Sequence, residues 1–376
     1  MGETHSRVAV RAAGLRLALD AYGHALAAVG AATLGLLEAF EKVQRRVHPP
    51  AILALRETLT PLRNRQHDAL ARFGAAAIPE GLAPFHEQLA SGAEAALEAA
   101  VFFVEPAPPA ELAPRVLASF SAHCRAQERL YPLRLALPPL SRFFAEPAWH
   151  ARLAELDPEP APGVTLGLHR GGPEEGVLPR GAFSLYVPER CDGKTPLPLV
   201  VALHGGFGHG HDFVWTWLRE ARSLPFLLLA PSSRGTTWSL DAPAHDAEML
   251  HALVAQVCAS WPVDRSRILL TGLSDGATFT LLAGLAPDSP FSHLAPVSGV
   301  LHPANLANGN LGRARGRRVW LCHGALDWLF PVSLARLAHD ELVRAGAAVE
   351  YREIADLSHA YPREENQAIL RWLGVG

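Results

Sequence analysis

Ile268-Leu269-Leu270-Thr271-Gly272-Leu273-Ser274-Asp275-Gly276-Ala277-Thr278-Phe279-Thr280-Leu281-Leu282 changes character at its serine. The residues before it form an apolar run of strand length, and those after it read as a helix. Gly272 and Gly276 stand two positions to either side, giving the pattern G-x-S-x-G. The pentapeptide alone is a weak signal; a strand entering it and a helix leaving it give it weight. On so sharp a turn the serine takes a strained backbone conformation and its hydroxyl projects from the sheet. A Cβ at either glycine would obstruct the close approach of strand and helix. The new helix also points its positive end at the serine, which favours a developing oxyanion. Ser274 is therefore the expected nucleophile.

On both sides of this stretch, short strand-like runs alternate with helical ones. Strands are expected over 164–168, 182–187, 197–203, 226–230, 267–271, 293–297, 318–322 and 349–354. Helices are expected over 244–260, 277–286, 332–345 and 363–373. Such alternation implies an α/β fold, a mostly parallel sheet flanked by helices, with ligands bound at the carboxyl ends of the strands. Residues 7 to about 155 have another texture: Ala/Leu-rich, poor in strand formers and broken at Pro49-Pro50 and around Pro106–Pro109. They predict an N-terminal all-helical domain over 1–156. The Pro-rich stretch 157–163 is the expected linker, and 164–376 the expected catalytic domain.

A serine hydroxyl needs a base, and the base needs an orienting acid. In this kind of sheet the chain order is Ser, acid, His. Asp327 follows the strand that ends in Leu321-Cys322, and His359 follows the last strand. Both loops are expected on the same sheet edge as Ser274. Asp356 is the rival acid, but three residues from His359 on one loop it is expected to shape the turn. His204-Gly205-Gly206-Phe207-Gly208 follows an early apolar strand, so its main-chain N–H groups can face the cleft. The expected oxyanion donors are the N–H of Asp275 and that of Gly206, with Phe207 as the alternative.

At these residues the chain resembles the α/β-hydrolase superfamily, in the branch of polyhydroxyalkanoate-depolymerase-like, feruloyl-esterase-like and phospholipase/carboxylesterase-like serine esterases. The resemblance rests on Leu203-His204-Gly205-Gly206, on Trp261 to Ile268, on the Gly272–Gly276 elbow, on His323-Gly324-Ala325-Leu326-Asp327, and on Ser358-His359-Ala360-Tyr361-Pro362. It covers about residues 181–376 and does not reach the N-terminal helices. It implies a serine esterase with the triad Ser274, Asp327 and His359. A peptidase or amidase on the same triad, or a non-catalytic binding module that kept the fold, are the alternative functions.

Composition sets further bounds. The net charge of −3 over 376 residues has no basic excess for nucleic acid. Cys124, Cys191, Cys258 and Cys322 form no metal-ligand spacing and are expected as buried thiols. His204, His209, His211 and Asp212 crowd one loop but miss the H-x-H-x-D-H of a binuclear hydrolase, so neither metal nor cofactor is expected. Trp215, Trp217 and Trp238 could line an acyl or aryl pocket or pack the core, and Asp246 is expected to cap a helix. No secretory leader is legible at the N-terminus, and residues 21–40, Ala/Gly-rich with His24 and Glu38, read as a packed helix rather than a membrane span. A cytoplasmic enzyme acting on a small-molecule ester is expected. Its N-terminal helices would serve self-association or a protein partner.

Overall fold

The computed structural model describes residues 2–159, 162–173 and 179–376, with side chains of the first helix described from residue 20. Pro160 and Ala161 of the Pro-rich stretch lie outside the described residues. The chain forms two compact units: Met1–Gln44 with Pro50–Ser141, and Arg45–Pro49 with Arg142–Gly376.

The first unit contains α1 (Gly2–Gln44), α2 (Ile52–Gly74), α3 (Ala83–Val104) and α4 (Pro109–Leu130). Its core holds Val29, Leu36, Phe40, Leu59, Phe73, Leu89 and Phe103. One buried polar residue ties three helices together. The Gln66 amide on α2 donates to Thr33 Oγ1 on α1 (2.9 Å) and to the Ala93 carbonyl on α3 (3.0 Å). The Asp20–Gln44 part of α1 is long and apolar enough to cross a membrane. Here Tyr22, Val29, Leu36, Leu37 and Phe40 along it are buried within the unit.

A short helix α5 (Pro138–Phe143) leads into the second unit. Its sheet comprises β1 (Gly167–Gly171), β2 (Phe183–Val187), β3 (Leu197–Leu203), β4 (Leu227–Pro231), β5 (Val263–Leu273), β6 (His293–Val297), β7 (Arg318–Gly324) and β8 (Ala348–Ile354). Their spatial order is β1-β2-β4-β3-β5-β6-β7-β8. β1 and β2 run antiparallel to their neighbours; every pairing from β4 to β8 is parallel. The flanking helices are α6 (Gly210–Phe213), α7 (Leu218–Ser223), α8 (Ala244–Ser260), α9 (Asp275–Gly284), α10 (Ala304–Ala307), α11 (Val332–Arg344) and α12 (Asn366–Leu373). Because β3, β4 and β6 are covered on both faces, they are buried along their whole length, as unbroken apolar runs require. Parallel pairing puts the carboxyl ends of β3, β5, β7 and β8 on one edge of the sheet.

Three local expectations differ from the structure. β1 begins at Gly167, later than the apolar run at 164–168. The helix expected over 363–373 begins as a 3-10 turn, Arg363–Glu365, before α12. Residues 142–156, expected to belong with the helices, pack into the sheet unit, together with Asp157 of the expected linker. The guanidinium of Arg222 on α7 is fully buried and meets Asp157 at 2.5 Å, and the Arg219 guanidinium donates to the Phe143 carbonyl (2.8 Å).

Candidate active site

β5 ends at Leu273 and α9 begins at Asp275, so Ser274 is the single residue that turns the chain. Its φ is 58° and its ψ −119°, a left-handed conformation that costs a non-glycine residue about 1–3 kcal/mol. Neighbouring backbone holds it there. The Ser274 N–H donates to the Val297 carbonyl at the end of β6 (3.0 Å), and the Ser274 carbonyl accepts from Thr278 (2.9 Å). The two elbow glycines are required for different reasons. A Cβ on Gly272 would lie 2.5 Å from the Gly276 backbone, whereas one on Gly276 would lie 2.4 Å from the His204 carbonyl oxygen. Gly276 therefore lets the elbow pass across the end of β3 as well as close on itself.

His359 and Asp327 reach this serine from the ends of β8 and β7. The Ser274 hydroxyl lies 2.9 Å from His359 Nε2, and His359 Nδ1 lies 2.8 Å from Asp327 Oδ2. The other oxygen, Asp327 Oδ1, accepts the N–H groups of Leu329 (3.0 Å) and Phe330 (2.8 Å). Burial raises the Asp327 pKa, but hydrogen bonds from His323 and His359 outweigh it and hold the carboxyl well below the usual carboxylate range. With Asp327 ionised, His359 carries its proton on Nδ1 and presents the Nε2 lone pair to the serine. Asp356, the rival acid, is largely exposed and pairs with Arg45 at 2.8 Å.

The two loops are joined by main-chain bonds. Ala325 N–H donates to the Ile354 carbonyl and Leu326 N–H to the Leu357 carbonyl, both at 2.9 Å. A Cβ on Gly324 would lie 2.4 Å from the Leu357 carbonyl oxygen, which explains the glycine at the end of β7. His323 was not singled out in the sequence, yet it is buried beneath the acid. Its Nε2–H donates to the Phe330 carbonyl (2.7 Å) and lies 3.3 Å from Asp327 Oδ2. The spacing of the two in His-Gly-x-x-Asp was the available signal.

The Gly205-Gly206 turn lies against the start of α9, Gly205 beside Ser274 and Gly206 beside the Asp275 carboxylate. The Asp275 N–H is the first of that helix and has no partner inside it. Among the described residues no backbone acceptor pairs with the Gly206 N–H, while the Phe207 N–H is already given to the Thr236 carbonyl (2.9 Å). The geometry therefore favours Gly206 over Phe207 as the second donor. Thr236 and Thr237, absent from the sequence reading, hold this region together. The Thr237 hydroxyl donates to Asp275 Oδ2 (2.5 Å), which borders Gly206 so closely that a Cβ there would lie 2.7 Å from it. Their loop is organised by Asp246. It does not cap α8 but sits in its first turn, fully buried, accepting from Arg234 N–H (3.1 Å) and from the Ser239 N–H and hydroxyl (both 2.8 Å).

The remaining candidates are structural. His204 Nε2 accepts from Ser233 N–H (3.0 Å), so its Nδ1–H donates to the Gly205 carbonyl (2.7 Å). Burial lowers its pKa to about 4, consistent with this neutral tautomer. His209 meets Ser232 Oγ at 3.1 Å and His211 meets Ser184 Oγ at 2.6 Å. Trp238 is stacked on Phe279, with Nε1–H given to the His204 carbonyl (2.8 Å). Trp215 and Trp217 are also buried.

Comparisons with known proteins give partial matches. The family model described as Phospholipase/Carboxylesterase matches residues 241–375, the part of the chain from α8 to the last helix. A curated relative, the oxidized polyvinyl alcohol hydrolase of a Sphingopyxis species, is 26% identical over 167 residues. The match covers 44% of this chain and 42% of that protein, so the chain spans less than half the length of this relative. Among solved structures, a phospholipase/carboxylesterase from Dyadobacter fermentans is 20% identical, with a TM-score of 0.41 over 56% of this chain and 96% of that one. A structure described as a dipeptidyl aminopeptidase IV from Bacteroides ovatus is 14% identical, with a TM-score of 0.46 over 55% and 35%.

Proposed function

We propose that this protein is a cofactor-independent serine esterase that cleaves carboxylic esters through an acyl-enzyme. The observation that carries the reading is the continuous relay from Ser274 Oγ through His359 to Asp327, at 2.9 and 2.8 Å. In this reading Ser274 Oγ attacks the ester carbonyl carbon while its proton passes to His359 Nε2. The carbonyl π-electrons move to oxygen, and the N–H groups of Gly206 and Asp275 receive the oxyanion. Collapse breaks the bond to the alkoxy group, which leaves as an alcohol with the proton from His359. A water molecule then gives a proton to His359 and attacks the acyl carbon; collapse breaks the bond to Ser274 Oγ, which takes the proton back from His359, and the carboxylic acid leaves. Asp327 fixes the imidazole tautomer and stabilises the imidazolium formed in both halves.

The relative's name makes oxidised polyvinyl alcohol one substrate to include, alongside small esters. The test is turnover of p-nitrophenyl esters from acetyl to long acyl chains, of that polymer, and of matched p-nitroanilides. The reading expects ester turnover that disappears in Ser274→Ala. Faster cleavage of anilides than of matched esters would favour a peptidase or amidase, and Ser274→Ala activity within tenfold of wild type would remove the mechanism.

A further inference from the structure

We propose that the segment Arg45–Pro49, part of the same compact unit as the sheet, positions the loops carrying His359 and Asp327, with Arg45 as its anchoring residue. The catalytic consequence rests on the function proposed above; the positioning itself does not.

This segment touches the His359 loop at three points. The Arg45 carbonyl accepts both the N–H (3.3 Å) and the hydroxyl (3.1 Å) of Ser358, which is buried and directly precedes His359. The Arg45 guanidinium lies 2.8 Å from Asp356 Oδ2 and 2.7 Å from Glu364 Oε1, three residues before and five residues after the histidine. Two residues further along, the Val47 carbonyl accepts the Trp328 Nε1–H (3.3 Å), and Trp328 directly follows Asp327. One short stretch, at least 281 residues distant in sequence from these partners, therefore grips both loops that must meet at the 2.8 Å contact between base and acid.

The carboxylates are roughly half exposed, so each ion pair is individually weak. What gives them effect is where they act. Together with the Ser358 bonds they fix both flanks of His359, and a misplacement of about 1 Å in a catalytic group can cost on the order of a hundredfold in rate. Arg45 touches no reacting atom and is a positioning residue.

The test uses the full chain as wild type, Arg45→Ala, Arg45→Lys and Trp328→Phe. Two properties are read: kcat and KM on a short p-nitrophenyl ester, and amide hydrogen exchange of the peptide 356–361. Arg45→Ala should lower kcat about tenfold at constant KM and accelerate exchange of that peptide, Arg45→Lys should restore most of both, and Trp328→Phe should lower kcat about threefold. In 1 M salt the wild type should move towards the Arg45→Ala value, because exposed pairs are screened. Unchanged exchange and unchanged kcat in Arg45→Ala would overturn the proposal, as would a loss of activity fully accounted for by a smaller folded fraction. If the wild type turns over no ester, that failure belongs to the proposed function, and the exchange measurement still decides the positioning.

Discussion

Replacing Asp327 by asparagine changes one atom and should invert the relay. The carboxylate has two separate duties here: Oδ1 accepts the N–H groups of Leu329 and Phe330, and Oδ2 accepts from His359 Nδ1. An amide has one oxygen and one NH2 group. If the oxygen turns towards His359, the NH2 faces two main-chain donors, leaving two N–H groups without an acceptor at about 1–3 kcal/mol each. If the oxygen stays with those donors, the NH2 faces Nδ1. The imidazole must then accept there and carry its proton on Nε2, pointing at Ser274. The second arrangement satisfies more groups, and in it the histidine cannot take the serine proton. We therefore expect kcat to fall by about three to four orders of magnitude at neutral pH, the scale of the wrong-tautomer effect in serine proteases. KM should change little, and Asp356→Asn should stay within about threefold of wild type. Steady-state kinetics on a short activated ester, with the tautomer read from imidazole nitrogen chemical shifts, checks both halves. An Asp327→Asn variant within tenfold of wild type, or one that keeps its proton on Nδ1, would refute the reasoning.

Gly276→Ala should abolish activity and lower stability by about 1–3 kcal/mol or more, because its Cβ would lie 2.4 Å from the His204 carbonyl oxygen; Gly205→Ala, whose Cβ meets only ordinary contacts at 3.4 Å or more, should be mild in chemical denaturation. Glu220 is buried, and that burial, with Glu146 nearby, pushes its pKa up to about 8. A carboxyl raised above its unfolded value contributes stability that is complete below about pH 4.5 and is lost as pH rises to about 8. Glu220→Gln should therefore match wild type in thermal denaturation near about pH 5 and exceed it by about 4 °C or more near about pH 9. A fragment starting at Pro162 lacks the Asp157 partner of the fully buried Arg222 guanidinium. It should be destabilised by about 3–5 kcal/mol relative to a fragment starting at Arg142, measured by solubility and denaturant titration.

Much of the sheet was legible because its inner strands are continuous apolar runs. Leu197–Leu203, His293–Val297 and the helix Ala244–Ser260 begin and end where the sequence puts them. The edge was harder. β1 is glycine-bounded and only partly buried, so its periodicity is weak, and the first half of β5 carries Asp264, Arg265 and Ser266, which no apolar rule selects. That Ser274, His359 and Asp327 come together was readable because each follows a parallel strand with a local motif. Asp246 misled because a carboxylate near a helix start reads as a cap, whereas its actual partners are Arg234 and Ser239 on the preceding loop. The division into units was not legible at the Pro-rich stretch 157–163 because what binds residues 142–157 and 45–49 to the sheet is long-range. Arg222 meets Asp157 across 65 residues and Arg45 meets Asp356 across 311, and neither pairing leaves a trace in local composition.

The central claim is that Ser274 is a nucleophile activated by His359. It is tested most directly by reacting the full-length protein with a fluorophosphonate and mapping the adduct by peptide mass spectrometry. The account predicts one stoichiometric adduct on Ser274, formed in wild type, strongly slowed in His359→Ala and absent in Ser274→Ala. An unmodified Ser274 in folded wild-type protein, or an adduct that forms equally well without His359, would contradict it.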